Sequence, residues 1–489
     1  MDHERLTSHI DALWDSSIVA ALDAYIRIPN KSPLFDPQWQ EHGHMQRAAE
    51  WIAQWCKARE IPGLRVELVQ LPGCTPLIYM EIPARGGSSS DTVLLYGHLD
   101  KQPELGGWQV GKGPWQPVLE ADRLYGRGSA DDGYAAFAAL AALEALGLAG
   151  GTHARCVVLI EACEESGSYD LPHYIEHLSQ RLGDVSLVVC LDSGCGDYER
   201  LWSTTSLRGL LMGNLVVQVL EEAVHSGDAS GIVPSSFRIA RQLLSRLEDE
   251  ATGALKLREL HVKIPRARVE QTKATAKILK KTVYTDYRWA GGTRPMHHDP
   301  AQLLLRRCWF PTLSVTAAAG LPALGDASNV VRTSTTLKLS IRLPPTCDIK
   351  RARTRVKRLL EQAPPHGALV RFEAEEGGAG WDAPALAPWL AEALSKASRA
   401  CFGQDPCFMG EGGSIPFMAM LGRKFPRAQF LITGVLGPHS NAHGPNEFLH
   451  LPTAKRLTAC IAHVLDDHAR RAPVKSRPQR TLRSGRSGS

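Results

Sequence analysis

Five groups of acidic and imidazole side chains stand where apolar segments end. Thr92–Gly97 runs into His98-Leu99-Asp100. A Gly-Arg-Gly turn at 126–128 leads to Asp131-Asp132. Cys156–Ala162 leads to Glu164-Glu165, and Leu187–Leu191 to Asp192. His443 and Asn446-Glu447 follow Phe430–Thr433. Each group alone is a weak signal, because His-x-Asp after a strand is commonly a loop pair and adjacent glutamates commonly form a solvated charge run. The combination is stronger. Carboxylates gathered at one edge repel one another unless a cation compensates. Two histidines with three or more carboxylates suit zinc or manganese better than calcium, and the absence of thiolates favours an open catalytic site over a structural one. A two-metal centre about 3.5–4 Å wide needs a bridging carboxylate and terminal ligands for each ion. It also needs an unligated carboxylate to take a proton from the attacking water. The inventory supplies all of these.

The elements that must position these groups alternate strand and helix over the first 200 residues. Thr92–Gly97, Cys156–Ala162 and Leu187–Leu191 are short continuous apolar runs, as in strands buried on both faces. The Ala/Leu-rich stretch Tyr134–Leu148 between the first two predicts a helix. The pattern predicts an α/β domain with a mostly parallel sheet, whose carboxyl strand ends are where sites form. The texture then changes. Leu215–Leu220 reads as a strand, Phe237–Glu248 as an amphipathic helix, and Leu337–Leu343 as a half-buried strand. A basic-faced helix from Ile349 and a strand Val370–Ala374 complete a split βαβ pattern, a small α+β, ferredoxin-like domain. Residues 266–301 are polar, irregular and without assignable structure. A helix near Pro388–Ala400, the strand Phe430–Thr433 and a helix from Thr453 return to the first texture. The expected organisation is a catalytic domain at 1–203 and 385–470, interrupted by a smaller domain at 204–384, with a basic tail at 471–489.

The chain has 489 residues, 44% hydrophobic and 22% charged, ordinary for a globular protein and unlike a disordered or fibrous one. No apolar run approaches ~18 residues, and no apolar segment follows the Met-Asp-His-Glu-Arg start, so neither a membrane span nor a secretory signal is expected. Eleven scattered cysteines without a Cys-x-x-Cys pair point to reduced thiols in the cytoplasm. The net charge of +5 owes itself to the end of the chain, where residues 470–489 hold seven Lys and Arg and no acid. The body is close to neutral, which gives no warrant for nucleic-acid binding.

Tyr96-Gly-His98-Leu-Asp100, Gly126-Arg-Gly-Ser-Ala-Asp131-Asp132, Glu164-Glu165-Ser-Gly-Ser168, Asp192-Ser-Gly and Ala442-His443-Gly-Pro-Asn446-Glu447 stand in a familiar order and spacing. Over about residues 10–470 the chain resembles the di-zinc metallopeptidases that include the cytosolic non-specific and carnosine dipeptidases, the aminoacylases and succinyl-diaminopimelate desuccinylase. The resemblance implies two Zn2+ per subunit, with Mn2+ or Co2+ also suited to the ligands. It implies His98 and Asp192 on one ion, Glu165 and His443 on the other, and Asp131 bridging, with a cis peptide bond after it. Glu164 is then the general base that deprotonates the bridging water and passes the proton to the leaving amine. Asp100 orients His98 through its other ring nitrogen.

The resemblance also implies substrate contacts, mostly from the smaller domain acting as a lid and dimerisation element. His225-Ser-Gly227 matches a family histidine that reaches the neighbouring subunit's site and stabilises the oxyanion. Arg342 matches an arginine that clamps the substrate's terminal carboxylate. Its place on the strand, alongside Lys338 and Ser340 and away from the apolar face, agrees. Glu411, Gly413 and Ser414 resemble a loop that holds the same end, and Asn329 is assigned to the pocket lining. One departure is Gly133-Tyr134 after the aspartate pair, where many members have Lys-Gly. The expected activity is hydrolysis of the peptide bond in dipeptides or short aminoacyl substrates by a homodimer without nucleic-acid or membrane partners. An N-acyl-amino-acid amidohydrolase with the same metals is the alternative. A catalytically inactive homologue would be expected to lack a ligand or the base, and all are present.

Overall fold

The computed structural model of the chain describes residues 1–86, 91–375 and 377–471. Apart from Arg471, the basic tail expected at 471–489 lies outside the described residues. Among those described, no helix is long and apolar enough to cross a membrane.

The chain first lays down β1 (Arg65–Val69), β2 (Leu77–Ile82) and β3 (Thr92–His98). Helix α1 (Ala135–Leu148), strand β4 (Arg155–Glu161) and strand β5 (Val185–Cys190) follow. Every residue of β3 is buried, as its unbroken apolar run requires. Helix α1 is buried on nearly all sides. Its alanines let it lie close between the sheet and the helices around it.

The chain then leaves this sheet. Strand Trp202–Leu207 straddles residue 203 and leads into β6 (Gly209–Gln218), α2 (Ser236–Leu247), α3 (Arg266–Leu279) and α4 (Pro300–Trp309). Next come β7 (Thr312–Ala319), β8 (Ser334–Leu343), α5 (Ile349–Glu361) and β9 (Leu369–Ala374). Strands β7-β8-β6-β9 form one antiparallel sheet. The apolar faces of α2 and α5 cover one side of it, with Ile239, Leu243, Val356 and Leu360 meeting Leu215, Leu339 and Ile341. Helices α3 and α4 belong to the stretch that carries no sequence periodicity. Inward from α3 point Arg268, bonded to Asp382 at 2.7 Å, and Thr275, bonded to the Phe408 carbonyl at 3.0 Å.

Helix α6 (Pro388–Phe402), strand β10 (Gln429–Ile432) and helix α7 (Leu451–Arg470) return to the first sheet. Its order is β1-β2-β4-β3-β5-β10, with β4, β3, β5 and β10 mutually parallel. Two small sheets tie the segments together. Trp202–Leu207 runs parallel to Cys407–Glu411, and Phe448–His450 pairs with Arg123–Tyr125. The first delivers Arg208 and Glu411 to one place. The second brings the turn after Gly126 against the loop that carries His443. The fold is thus a mixed α/β architecture with a mostly parallel central sheet and a smaller α+β domain inserted in it.

Candidate metal centre

The carboxyl ends of the parallel strands deliver the acidic and imidazole groups to one place. His98 is the last residue of β3, Glu164 and Glu165 form a short turn after β4, and Asp192 follows β5 by two residues. Asp131 comes from the turn before α1, where the Asp131–Asp132 peptide bond is cis. One Asp131 oxygen lies 3.3 Å from His98 Nε2, and the other lies 2.9 Å from His443 Nε2. Asp192 is 3.8 Å from His98 Nε2 and Glu165 is 3.4 Å from His443 Nε2. The ligand atoms of His98, Asp131 and Glu165 all fall within 4.8 Å of one another, and so do those of His98, Glu164 and Asp192. His98 is fully buried, whereas the His443 side chain is 55% exposed, so the centre opens to solvent on the His443 side.

The acids of the site crowd one another. Burial and the Asp131 charge push Glu165 up to about 8. Burial and the same neighbour push Asp192 up to about 6, and burial with the Asp192 charge pushes Glu164 up. Burial acts against the protonated imidazole of His443, but the hydrogen bond and charge of Asp131 outweigh it and raise His443 to about 9. Acids crowded in this way form a site that a cation would stabilise. Two imidazoles and four carboxylates without a thiolate are a donor set that fits zinc, manganese or cobalt.

The supporting groups fix the backbone that carries the ligands. Asp100 lies with its Oδ1 3.5 Å from His98 Nδ1 and accepts the backbone N–H groups of Glu164 and Glu165 at 3.0 Å each. It thereby fixes β3's ligand and the glutamate turn to each other. Asp132 accepts the His98 N–H at 3.2 Å. Tyr134 donates its hydroxyl to the carbonyl of Leu191, just before Asp192. The Gly133 that precedes it has no room for a side chain, because a Cβ there would lie 2.3 Å from the Tyr25 ring and 2.4 Å from the Gly128 carbonyl. The Gly133-Tyr134 departure thus packs the turn instead of placing a cation beside it.

A family model described as Peptidase family M20/M25/M40 matches residues 94–467, the span that holds every one of these groups. The chain belongs to this family. It is a metal-dependent hydrolase, a peptidase. The cysteinylglycine-S-conjugate dipeptidase of Corynebacterium striatum is 26% identical over 73% of this chain and 76% of its own. The human Beta-Ala-His dipeptidase is 25% identical over 95% and 93%. Among solved structures, the Saccharomyces cerevisiae di-peptidase Dug1p matches with a TM-score of 0.75 at 22% identity, over 96% of this chain and 99% of its own. Human carnosine dipeptidase 1 gives 0.76 at 22%, over 96% and 98%. These two likenesses concern the fold.

Two further residues of the motifs, to which the sequence assigned no role, hold the site together in this chain. Arg127, in the Gly-Arg-Gly turn, donates to Glu447 at 2.7 Å and to the carbonyls of His443 and Gly444. Glu447 in turn accepts N–H groups from Gly128, Ala130 and Asp131. Both side chains are buried. The pair locks the loop of one ligand to the turn of another, and its signal in the sequence was an arginine in one motif and a glutamate in another. Removing one partner leaves the other charge buried alone, which costs roughly 3–5 kcal/mol. Arg127→Met is accordingly expected to lower the urea-unfolding free energy by that amount. It is also expected to weaken metal retention, read by equilibrium dialysis.

The residues expected at the substrate end fall in two places. Arg342 is half-buried on β8, on the face opposite the α2 and α5 helices, and Glu411, Gly413 and Ser414 form the loop after Cys407–Glu411. Glu411 is half-buried, with its Oε1 buried, and borders the Asp192 loop, since a Cβ on Gly194 would lie 2.6 Å from that oxygen. His225 and Asn329 stand apart from this group. His225 sits on a two-residue strand paired with Val330–Val331, 67% exposed, with Asp228 as its ion-pair partner at 3.6 Å. Asn329 lends its carbonyl to the Ser226 N–H. Neither is drawn to the metal ligands within this chain.

Proposed function

We propose that this M20 enzyme is a dipeptidase that hydrolyses the peptide bond of unblocked dipeptides or short aminoacyl substrates at a two-metal centre. The observation that carries the reading is the bridging stance of Asp131, which turns one oxygen to His98 and the other to His443. Asp192 stands beside His98, and Glu165 beside His443. In this reading His98 and Asp192 hold one ion, and Glu165 and His443 the other. Zinc, manganese or cobalt bound there supplies Lewis acidity, polarising the scissile carbonyl and acidifying water. The printed activities of the Corynebacterium and human relatives support a dipeptide substrate.

Glu164 is the general base. The neighbouring carboxylates are held by the scaffold. Asp100 takes two N–H groups and Glu447 takes Arg127 and three N–H groups. Glu161 takes the hydroxyls of Tyr96 and Ser168 on one oxygen, and Asp132 takes the His98 N–H on one oxygen, each leaving its other oxygen buried. Among the described residues no donor reaches the Glu164 carboxylate, while its backbone N–H is pinned by Asp100. A Glu164 oxygen is thus free to take a proton from the attacking water and return it to the leaving amine. Arg342 and the Glu411–Ser414 loop hold the substrate's carboxylate end. Exposed His225 suits a role at the neighbouring subunit of a homodimer, where its imidazole donates to the oxyanion. The domain division at 203 and 384 stays part of the proposal. So does a cytoplasmic setting, supported by eleven free cysteines, ten of them buried.

The test strips the purified protein of metal, titrates zinc or manganese back and follows hydrolysis of unblocked and N-acetylated dipeptides. Activity restored near two ions per chain on unblocked dipeptides supports the reading. Activity on N-acetylated substrates alone moves the enzyme to the amidohydrolases, and no metal-dependent hydrolysis of either overturns both.

A further inference from the structure

Beside the metal centre two guanidinium groups, those of Arg208 and Arg307, meet at one loop, and a third, that of Arg342, stands on the neighbouring strand face. Arg208 follows the Trp202–Leu207 strand and is nearly buried. Its backbone N–H donates to the Gly413 carbonyl at 3.0 Å, its Nε to the Gly412 carbonyl at 3.0 Å, and its Nη1 to the Thr312 hydroxyl at 3.0 Å. Thr312 is the register partner of Arg342, so its side chain shares a face with Arg342. Arg208 therefore reaches across to the same face. Arg307 closes the other side of the loop. A Cβ on Gly412 would lie 3.0 Å from Arg307 Cγ and 3.3 Å from Arg208 Nη2.

The positive charge is not balanced. Among the described residues none of the three arginines forms an ion pair within 4.0 Å. Arg307 Nε is buried without a hydrogen-bond partner, and so is Oε1 of Glu411, the acid that fronts it. Burial first, and then the charges of Arg342 and Arg307, hold Arg208 down to about 10, whereas Cys308 and Glu411 hold Arg307 up. A single substrate α-carboxylate answers one guanidinium. Two guanidiniums remain against the one glutamate, an excess of one positive charge.

We propose that Arg208 and Arg307 form a second anion subsite beside Arg342, selecting substrates whose C-terminal residue carries a side-chain carboxylate, aspartate or glutamate. This rests on the peptidase reading above and adds the class of substrate to it. Arg342 takes the α-carboxylate, and the guanidiniums across the Gly412 loop take the side-chain carboxylate. Glutamine in the same position fills the space but leaves the cations unanswered.

The experiment compares kcat/KM on the matched pair Ala-Glu and Ala-Gln with the metal-loaded enzyme. N-acetyl-glutamate and N-acetyl-glutamine are run in parallel. A preference for Ala-Glu of about 10–100-fold, carried in KM, is expected. The ratio falls toward one in Arg307→Gln and recovers in part in Arg307→Lys. Arg208→Lys serves as a second variant, since it keeps the charge and loses the planar donors that hold the loop. A wild-type ratio near one overturns the proposal, as does a ratio unchanged in both Arg307→Gln and Arg208→Lys. Turnover of Ala-Gln reads the dipeptidase assignment separately. If only the N-acetyl pair is cleaved, that assignment fails and the Glu/Gln ratio on that pair decides the subsite. If neither pair is turned over, calorimetric titration of free glutamate against glutamine reads the same ratio.

Discussion

Glu164→Gln is expected to lower kcat on an unblocked dipeptide by about 10²–10⁴-fold while leaving two metal ions bound per chain. The amide keeps the shape of the side chain and cannot accept the proton of the attacking water. The turn that carries it stays in place, because Asp100 holds the backbone N–H groups of residues 164 and 165 and not their side chains. Steady-state kinetics and elemental analysis on the same preparation check the two halves. A kcat within a few-fold of wild type would move the proton transfer to another group. A loss of one ion would make Glu164 a ligand and leave the base unassigned.

Removal of the metals is expected to abolish hydrolysis reversibly, and to make the protein's stability fall as pH rises from 6 to 9. The sign follows from the displaced groups. Glu165 moves from 4.5 to about 8 in the folded, metal-free chain, and Asp192 from 3.8 to about 6. Between its two values each group binds a proton more tightly folded than unfolded. Stability is thus lost as pH climbs through that window, and for Glu165 the loss is complete only above about 8. His443, raised from 6.5 to about 9, acts in the same direction. For buried Glu165 the cost is on the order of 1.4 kcal/mol for each unit of displacement. For half-exposed His443 it is smaller because solvent screens the pair. With metal bound the ligands no longer titrate in this range and the stability curve flattens. Thermal unfolding of the stripped and reloaded protein at pH 6, 7.5 and 9 reads the difference. A stripped protein equally stable at pH 6 and 9 contradicts the charge argument.

The parts of the molecule legible in the sequence are those in which one physical rule acts alone. Continuous apolar runs gave the buried strands Thr92–His98, Arg155–Glu161, Val185–Cys190 and Gln429–Ile432 to within a few residues, because strands covered on both faces have no reason to alternate. Alternation marked β8 and β9, which have one solvated face. The unread parts follow other rules. Strand β7 is an edge with most of its residues exposed, so neither face selects apolar side chains. Strand Trp202–Leu207 is wholly buried yet reads Trp-Ser-Thr-Thr-Ser-Leu, its polar groups answered by bonds such as Thr205 to the Met409 carbonyl. Helix α3 turns Arg268, Thr272 and Thr275 inward, which erases a hydrophobic period. At the site, the motifs named the acidic and imidazole groups. The convergence of Arg208 and Arg307 on the loop of Glu411 depends on three separate elements, and no spacing along the chain announces it.

A ribosome must deliver the whole of the smaller domain before the first sheet can be completed. Strand β5 waits for β10, whose Gln429 pairs with Leu187, and Asp131 waits for His443 and for the clamp of Glu447 on Arg127. Through that interval the nascent chain exposes the open apolar edge of β5 and an uncompensated knot of acids. Its early half therefore cannot close its own sheet or compensate its own acids before the later segment arrives. A chain cut short after the smaller domain is expected to leave that edge and those acids exposed.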